Sequence, residues 1–335
     1  MAIAASGAVS FSDLRTEFVG GSAAISYSDL YRGGSNIRAK AANNTGVNLA
    51  ASVPTSGTIN IANFRSQAKG FRFTFTSGAT NQSAATLFGD DYAVDYRKEI
   101  VIDSGVELGA TSTSEEALEI PSGGSGTIVV TNNGTLSGAG GAAGAAGGDA
   151  FEAAVACTLV NNGTIRAGGG GGGTGGGGSY QTSSTSGPYY SWPYGTRYVF
   201  LRKYGQNRGM FWANSYVGQT ANLGTTVYSY GSQQSYDDTY ESYTHQISRT
   251  IYSTTNTNGG SGGVGQGYNQ SAGSGVGGGT NAGTGGSGAS FGSAGSTGVN
   301  GNRTNGVAGG AAGNYIRGVS FVTLTQSGTV QGGTA

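Results

Sequence analysis

Thirteen of the 19 tyrosines and both tryptophans fall between Tyr180 and Tyr252. An aromatic ring offers a flat apolar face that stacks on the C–H face of a sugar or on a protein side chain, and tyrosine and tryptophan add a polar tip. The densest runs are Pro188-Tyr189-Tyr190-Ser191-Trp192-Pro193-Tyr194 and Phe211-Trp212-Ala213-Asn214-Ser215-Tyr216. The candidate contact residues are Tyr189, Tyr190, Trp192, Tyr194, Tyr198, Trp212, Tyr216, Tyr228, Tyr230, Tyr236, Tyr240 and Tyr243. Intervening Ser, Thr, Asn, Gln and Gly supply adaptable hydrogen bonding. The same rings can also form the segment's own core, because their glycine-rich neighbours offer little else to bury, and both roles are expected.

Catalytic readings are thinner. The single histidine, His245, lies near Asp237, Asp238 and Glu241, and paired carboxylates cleave glycosides, but the spacing singles out no pair and a hydrated acidic turn accounts for it. Neither a Cys/His metal set nor an EF-hand or P-loop pattern occurs, so no metal, cofactor or catalytic residue is expected. Ser10 and Ser26 each precede an aspartate, Asp13 or Asp29, by three positions. A nucleophile is rarely duplicated together with its turn, so these pairs read as helix N-caps with the acid reaching back from N3. The one cysteine, Cys157, sits in the apolar run Val155 to Val160 and reads as a small buried hydrophobe. Equal counts of 17 basic and 17 acidic residues leave no basic field to draw nucleic acid or an anionic membrane. No stretch is long and apolar enough to insert in a bilayer, and Met1 to Ser12 lacks the pattern of a secretory signal, so synthesis in a cytoplasm is expected.

Behind these residues stand three kinds of element. Residues 1–70 repeat a phrase: Val9-Ser10-Phe11-Ser12-Asp13-Leu14, Ile25-Ser26-Tyr27-Ser28-Asp29-Leu30 and the weaker Ile59-Asn60-Ile61-Ala62-Asn63-Phe64. Each copy predicts a short capped helix, with Gly20-Gly21 and Gly33-Gly34 as stops. Units this small must dock on something, which marks Phe11, Asp13, Leu14, Tyr27, Asp29 and Leu30 as anchor or assembly candidates. Phe71 to Thr76 alternates like a half-buried strand and opens a β-rich connector, residues 71–126. A phrase of β-branched residues around a turn then recurs with Gly105, Gly134 and Gly163 spaced by 29 residues, the signature of stacked units. Asn-Gly suits such a turn because both residues tolerate positive φ. Val322 to Val330 resembles a fourth copy, so residues from about 168 to 318 leave the stack and return to it.

The third element is glycine itself, 67 residues of 335. Tracts run over Gly138–Gly148, Gly168–Gly178 (broken only by Thr174) and Gly259–Gly313, often with glycine at every third position. Three residues per turn is the repeat of an extended polyproline II-type helix, whose free N–H and C=O groups pair sideways. Four prolines in the chain are too few for collagen. Irregular ordered loops and disorder are the competing readings. The expected fold is mainly β with polyglycine II-like helices: anchor units, a β connector, and a stacked glycine-rich domain over 127–335 carrying the aromatic insert at about 179–258.

The Ser-Phe-Ser-Asp-Leu phrases resemble segments at the start of tail proteins of tailed bacteriophages. The Asn-Asn-Gly-Thr phrases running into glycine, with an aromatic segment between glycine tracts, are similar to glycine-rich phage tail-fibre adhesins. That resemblance implies a non-enzymatic virion tail-fibre or minor tail protein whose loops bind a host glycan or outer-membrane protein. Other tail proteins would be met through the N-terminal region, in a homo-oligomer, with a trimer favoured. A single long insert and the N-terminal repeats depart from the detachable tip adhesins and leave open whether the chain is a tip or a whole fibre. The alternative is a structural tail or capsid-surface protein whose aromatics pack against neighbouring subunits. A glycan-cleaving enzyme and an ice-binding protein are further readings, the latter wanting a flat Thr or Ala face.

Overall fold

The computed structural model describes residues 3–20, 24–34, 36–194, 198–203, 206–212, 220–223, 226–237 and 242–335. For Tyr27 and for the strand residues between 186 and 249 it describes the backbone. The fold is mainly β with few, short helices. It divides into two units, one of residues 1–177 and 258–335 and one of residues 178–257.

The 29-residue sequence repeat is a parallel stack with three faces. On the first face Gly70–Phe75, Arg97–Ile102, Ile128–Asn132, Cys157–Asn161 and Val322–Gln326 pair in order, with Val47–Asn48 antiparallel at the near end. The second face runs Ala79–Thr80, Glu107–Gly109, Thr135–Ser137, Thr164–Arg166 and Thr329–Gln331. The third runs Gln82–Ser83, Leu118–Ile120, Phe151–Ala153, Asn314–Arg317 and Gly333–Thr334. Strands on either side of residue 126 therefore share the same sheets, and the third strand of the fourth rung, Asn314–Arg317, arrives only after the chain has returned from its excursion.

Parallel register puts like residues in columns, and the columns are the core. Ile100, Val130 and Leu159 are consecutive partners, as are Leu108, Leu136 and Ile165, and all are buried. One column is polar. Asn132 donates from Nδ2 to Oδ1 of Asn161 (2.8 Å), and Asn161 donates in turn to Gln326 Oε1 (3.2 Å), so each buried amide satisfies the next. The turn glycines are explained by closeness more than by φ. Gly105 has φ +81°, but at Gly163 and Gly328 a Cβ would overlap the carbonyl of Gly134 or Gly163 in the rung before.

Residues 3–69 cover the first rung. All three phrases form the expected capped turns: Phe11–Leu14, Tyr27–Leu30 and Ile61–Phe64, with Ser10/Asp13, Ser26/Asp29 and Asn60/Asn63 exchanging capping hydrogen bonds. Leu14, Phe18, Leu30 and Phe64, each fully buried, converge on one small core that also takes Ile3, Ile37, Ala50 and Val53.

The glycine segments are ordered by main-chain hydrogen bonds. In the tract from Gly168 to Gly177, N–H groups point in turn at three neighbours. Gly168 and Gly171 donate to Gly148 and Ala145; Gly169, Gly172 and Gly175 to Gln266, Gly263 and Gly260; Gly170, Gly173 and Gly176 to Ser293, Ser296 and Val299. Its carbonyls accept from three more: Gly141 and Gly144; Ala289, Gly286 and Gly283; Gly313, Gly310 and Val307. The surrounding segments bond to one another in a closed ring, for example Gly263 to Gly286, Ser296 to Ser287, Gly298 to Val307, Gly147 to Ala311 and Gly265 to Gly141. A Cβ on Gly172 would overlap the Gly286 carbonyl, and one on Gly173 the Val307 carbonyl. Thr174 is exposed because the neighbouring chain has already turned away between Ala142 and Ala145.

The second unit is a six-stranded antiparallel sheet in the order Gln206–Trp212, Tyr198–Lys203, Gly178–Tyr194, Ser242–Thr257, Thr226–Asp237, Thr220–Leu223. Its two long central strands pair from Gly178 with Thr257 up to Ser191 with His245.

Candidate functional site

Nearly all the aromatic candidates lie on that sheet. Tyr189, Tyr190, Trp192 and Tyr194 fall on Gly178–Tyr194, Tyr198 and Trp212 on the two strands beyond it, and Tyr228, Tyr230, Tyr236 and Tyr243 on the other side. The ladder sets Trp192 opposite Phe200, Tyr194 opposite Tyr198, Tyr198 opposite Trp212 and Tyr236 opposite Tyr243. Tyr189 and Tyr230 both stand opposite Ile247, and Tyr190 and Tyr228 stand opposite Gln246 and Arg249. Strand pairing thus gathers residues that are far apart in the sequence. Tyr216 and Tyr240 lie outside the described residues, as do Asp238 and Glu241; His245 and Asp237 are placed on strands. The base of the central ribbon is a polar, exposed surface, where Thr185 and Thr250 meet through their hydroxyls (3.0 Å).

A second cluster was not visible in the sequence. Two turns of the glycine bundle, residues 277–282 and 299–304, meet at one end: the Asn302 N–H donates to the Asn281 carbonyl (3.1 Å), and Gly279 to Asn258 (3.1 Å). Gly177 belongs to this end too, its carbonyl accepting from Arg303 and Thr304 and its N–H donating to Thr304 Oγ1 (2.7 Å). Thr280, Asn281, Asn300, Asn302 and Arg303 are exposed there. At the opposite end the turns bear aromatics that tie the bundle to the stack. The Tyr268 ring lies where a Cβ on Gly109 would be, and the Arg166 guanidinium sits over the buried Phe291 ring (3.9 Å to its centroid). Isolated aromatics in a glycine run were the signal for these two.

The N-terminal candidates separate by exposure. Leu14 and Leu30 are core residues, whereas Phe11 is 43% exposed. Asp13 accepts from the Ser10 N–H (2.7 Å) and hydroxyl (2.8 Å), and Asp29 does the same with Ser26; these bonds hold both carboxyls below the usual carboxylate range. Both serine-aspartate pairs are engaged in capping. Tyr27 begins the second helix.

Buried ionisable groups sit in the stack. Arg317 on the third face binds Glu116 (2.6 Å) and Glu152, with Asp149 at 3.7 Å. Burial pushes the Glu116 carboxyl up to about 7, against the Arg317 charge and with help from Glu152, Glu119 and Asp149. A polar cavity of about 340 Å³ opens beside this cluster. Cys157 is buried, its thiol raised to about 11 by desolvation, which makes it a poor nucleophile. Among the described residues, no group of three or more His, Cys, Asp or Glu is arranged to hold a metal, and no helix is long and apolar enough to cross a membrane.

No curated protein and no solved structure matches the chain. The family model of the phage tail fibre adhesin Gp38 does, over residues 58–335. That range takes in the β stack, the hydrogen-bonded glycine bundle and the aromatic sheet inserted in it, and the chain belongs to the Gp38 family of phage tail fibre adhesins, components of the virion tail.

Proposed function

We propose that this protein is a non-enzymatic adhesin that attaches a phage to its host by binding a surface glycan or an outer-membrane protein. Membership of the adhesin family over residues 58–335 carries the reading. The glycine bundle acts as its scaffold, and its segments are polyglycine II helices. Support for that comes from N–H groups that turn to a new neighbour at each residue and return to the first after three. The contact surface is the aromatic insert, with the exposed turns at residues 277–282 and 299–304 as accessory sites. Tyrosine and tryptophan paired across strands supply stacking faces, and the turns supply amides and hydroxyls.

Residues 1–70 attach the protein to other tail proteins; residues 71–126, which share sheets with the strands after them, join that attachment region to the later rungs, and recognition lies within residues 127–335. Exposed Phe11, Val47 (61%) and Phe321 (46%) support contacts with further chains, which would complete a homo-oligomer, a trimer by preference. Several copies on one particle then turn weak individual contacts into avidity.

Binding of fluorescently labelled full-length protein to candidate host cells tests this, beside a variant with residues 180–252 replaced by a Gly-Ser linker and shown to keep its fold and assembly state. Loss of binding in the variant alone is expected. Equal binding by both would move recognition off the insert, and no binding by the intact assembled protein would favour a packing role in the tail.

A further inference from the structure

Between Asn258 and Gly313 one side chain carries a charge, Arg303. It stands on the 299–304 turn, exposed, with its own N–H donating to the Gly177 carbonyl (3.1 Å), so the main chain fixes the base of the side chain. Most side chains around it on the two crests are amides or hydroxyls, Asn300, Asn302 and Thr304 on its own turn, Asn305 just after it, and Thr280 and Asn281 on the other; the exposed Val299 on its own turn is a single apolar side chain and makes no pocket. The Asn300 Oδ1 accepts the Gly306 N–H (2.9 Å), which stiffens the turn further. Among the described residues no carboxylate pairs with Arg303, whereas Arg38, Arg72, Arg97, Arg166 and Arg317 all have acidic partners.

An exposed guanidinium on a fixed turn is a fork of donors matched to a phosphate or a carboxylate. Amides and hydroxyls beside it match the hydroxyls of a sugar, whereas an anchor for a protein loop would want an apolar pocket next to the charge. We propose that Arg303, flanked by Asn281 and Asn302, recognises the acidic group of a cell-surface saccharide. This rests on the adhesin reading and names the ligand chemistry of one of its accessory sites.

The test uses the full-length protein, Arg303→Gln and Arg303→Lys, with equal melting midpoints, on immobilised rough-type lipopolysaccharide, the same material after dephosphorylation, and polygalacturonate. Arg303→Gln should weaken binding about tenfold to whichever anionic probe is bound, and Arg303→Lys less, since it keeps the charge and loses the fork. Wild-type binding that dephosphorylation abolishes assigns a phosphate; binding to polygalacturonate that dephosphorylation of the lipopolysaccharide does not mimic assigns a carboxylate. Arg303→Gln binding every probe and whole cells as well as wild type would overturn the proposal and leave the adhesin reading standing. Adsorption confined to outer-membrane protein in vesicles without lipopolysaccharide would overturn the saccharide assignment alone, and a wild type that binds neither cells nor probes removes both.

Discussion

At Gly172 the residue type is dictated by a neighbour's carbonyl. Gly172→Ala must push the Gly286 main chain aside in a segment enclosed by six others, and a loss of about 1–3 kcal/mol is expected. Gly277, on an exposed turn with nothing within 4 Å of a Cβ, is the control: Gly277→Ala should change the urea midpoint little or raise it slightly. Glu116 makes a different prediction. Its carboxyl is raised from an ordinary 4.5 to about 7, so between those values the folded chain holds a proton that the unfolded chain releases. Its contribution to stability is complete below about pH 4.5 and is lost as the pH rises through 7. Denaturant midpoints of wild type and Glu116→Gln, compared at pH 5 and pH 8, should show the variant gaining relative to wild type at the higher pH. An equal difference at both would mean that Glu116 is not the titrating group.

At the scale of elements, the stack depends on columns. Asn161, fully buried, links Asn132 to Gln326, and Asn161→Ala removes one acceptor from the buried Asn132 amide and the donor to the Thr329 carbonyl, at a cost of about 1–3 kcal/mol read by thermal unfolding. Leu14→Ala should remove about 2–5 kcal/mol from the small N-terminal core, and hydrogen exchange should show faster opening in residues 3–69 than in the strands of the later rungs. Both elements were legible beforehand, because the information lies in residues at fixed spacing: serine three residues before aspartate, and a turn glycine at 105, 134 and 163. The recurring phrase located Val322–Gln326 as a further strand of the stack, but not the earlier return at Asn314–Arg317, nor the reason for the turn glycines, which is contact between stacked turns. The order of neighbours in the glycine bundle was not legible. Segments made of the same small residue carry no label saying which pairs with which, and only Tyr268 and Phe291 break that degeneracy. Alternation in the aromatic segment is blurred by Ser, Thr and Gly, so its strands were not foreseen.

For the whole molecule, the insertion is cleanly bounded. Gly178 and Thr257 are cross-strand partners, which sets their Cα atoms about 5 Å apart, within reach of a two-residue turn. Joining Gly177 to Asn258 through Gly-Gly should therefore leave the first unit folded, with an unchanged melting midpoint and a far-UV spectrum reduced by one sheet. A collapsed midpoint would show that the two units fold as one. The bundle also bears on behaviour with temperature. Its order comes from amide pairing between glycines, with little hydrocarbon removed from water, and exposing polar groups on unfolding lowers the heat capacity where exposing apolar groups raises it. Calorimetry of the full chain should accordingly give a heat-capacity increment per residue below the globular norm, hence a broad, shallow stability curve: a particle component that tolerates cooling outside its host as readily as warmth inside it.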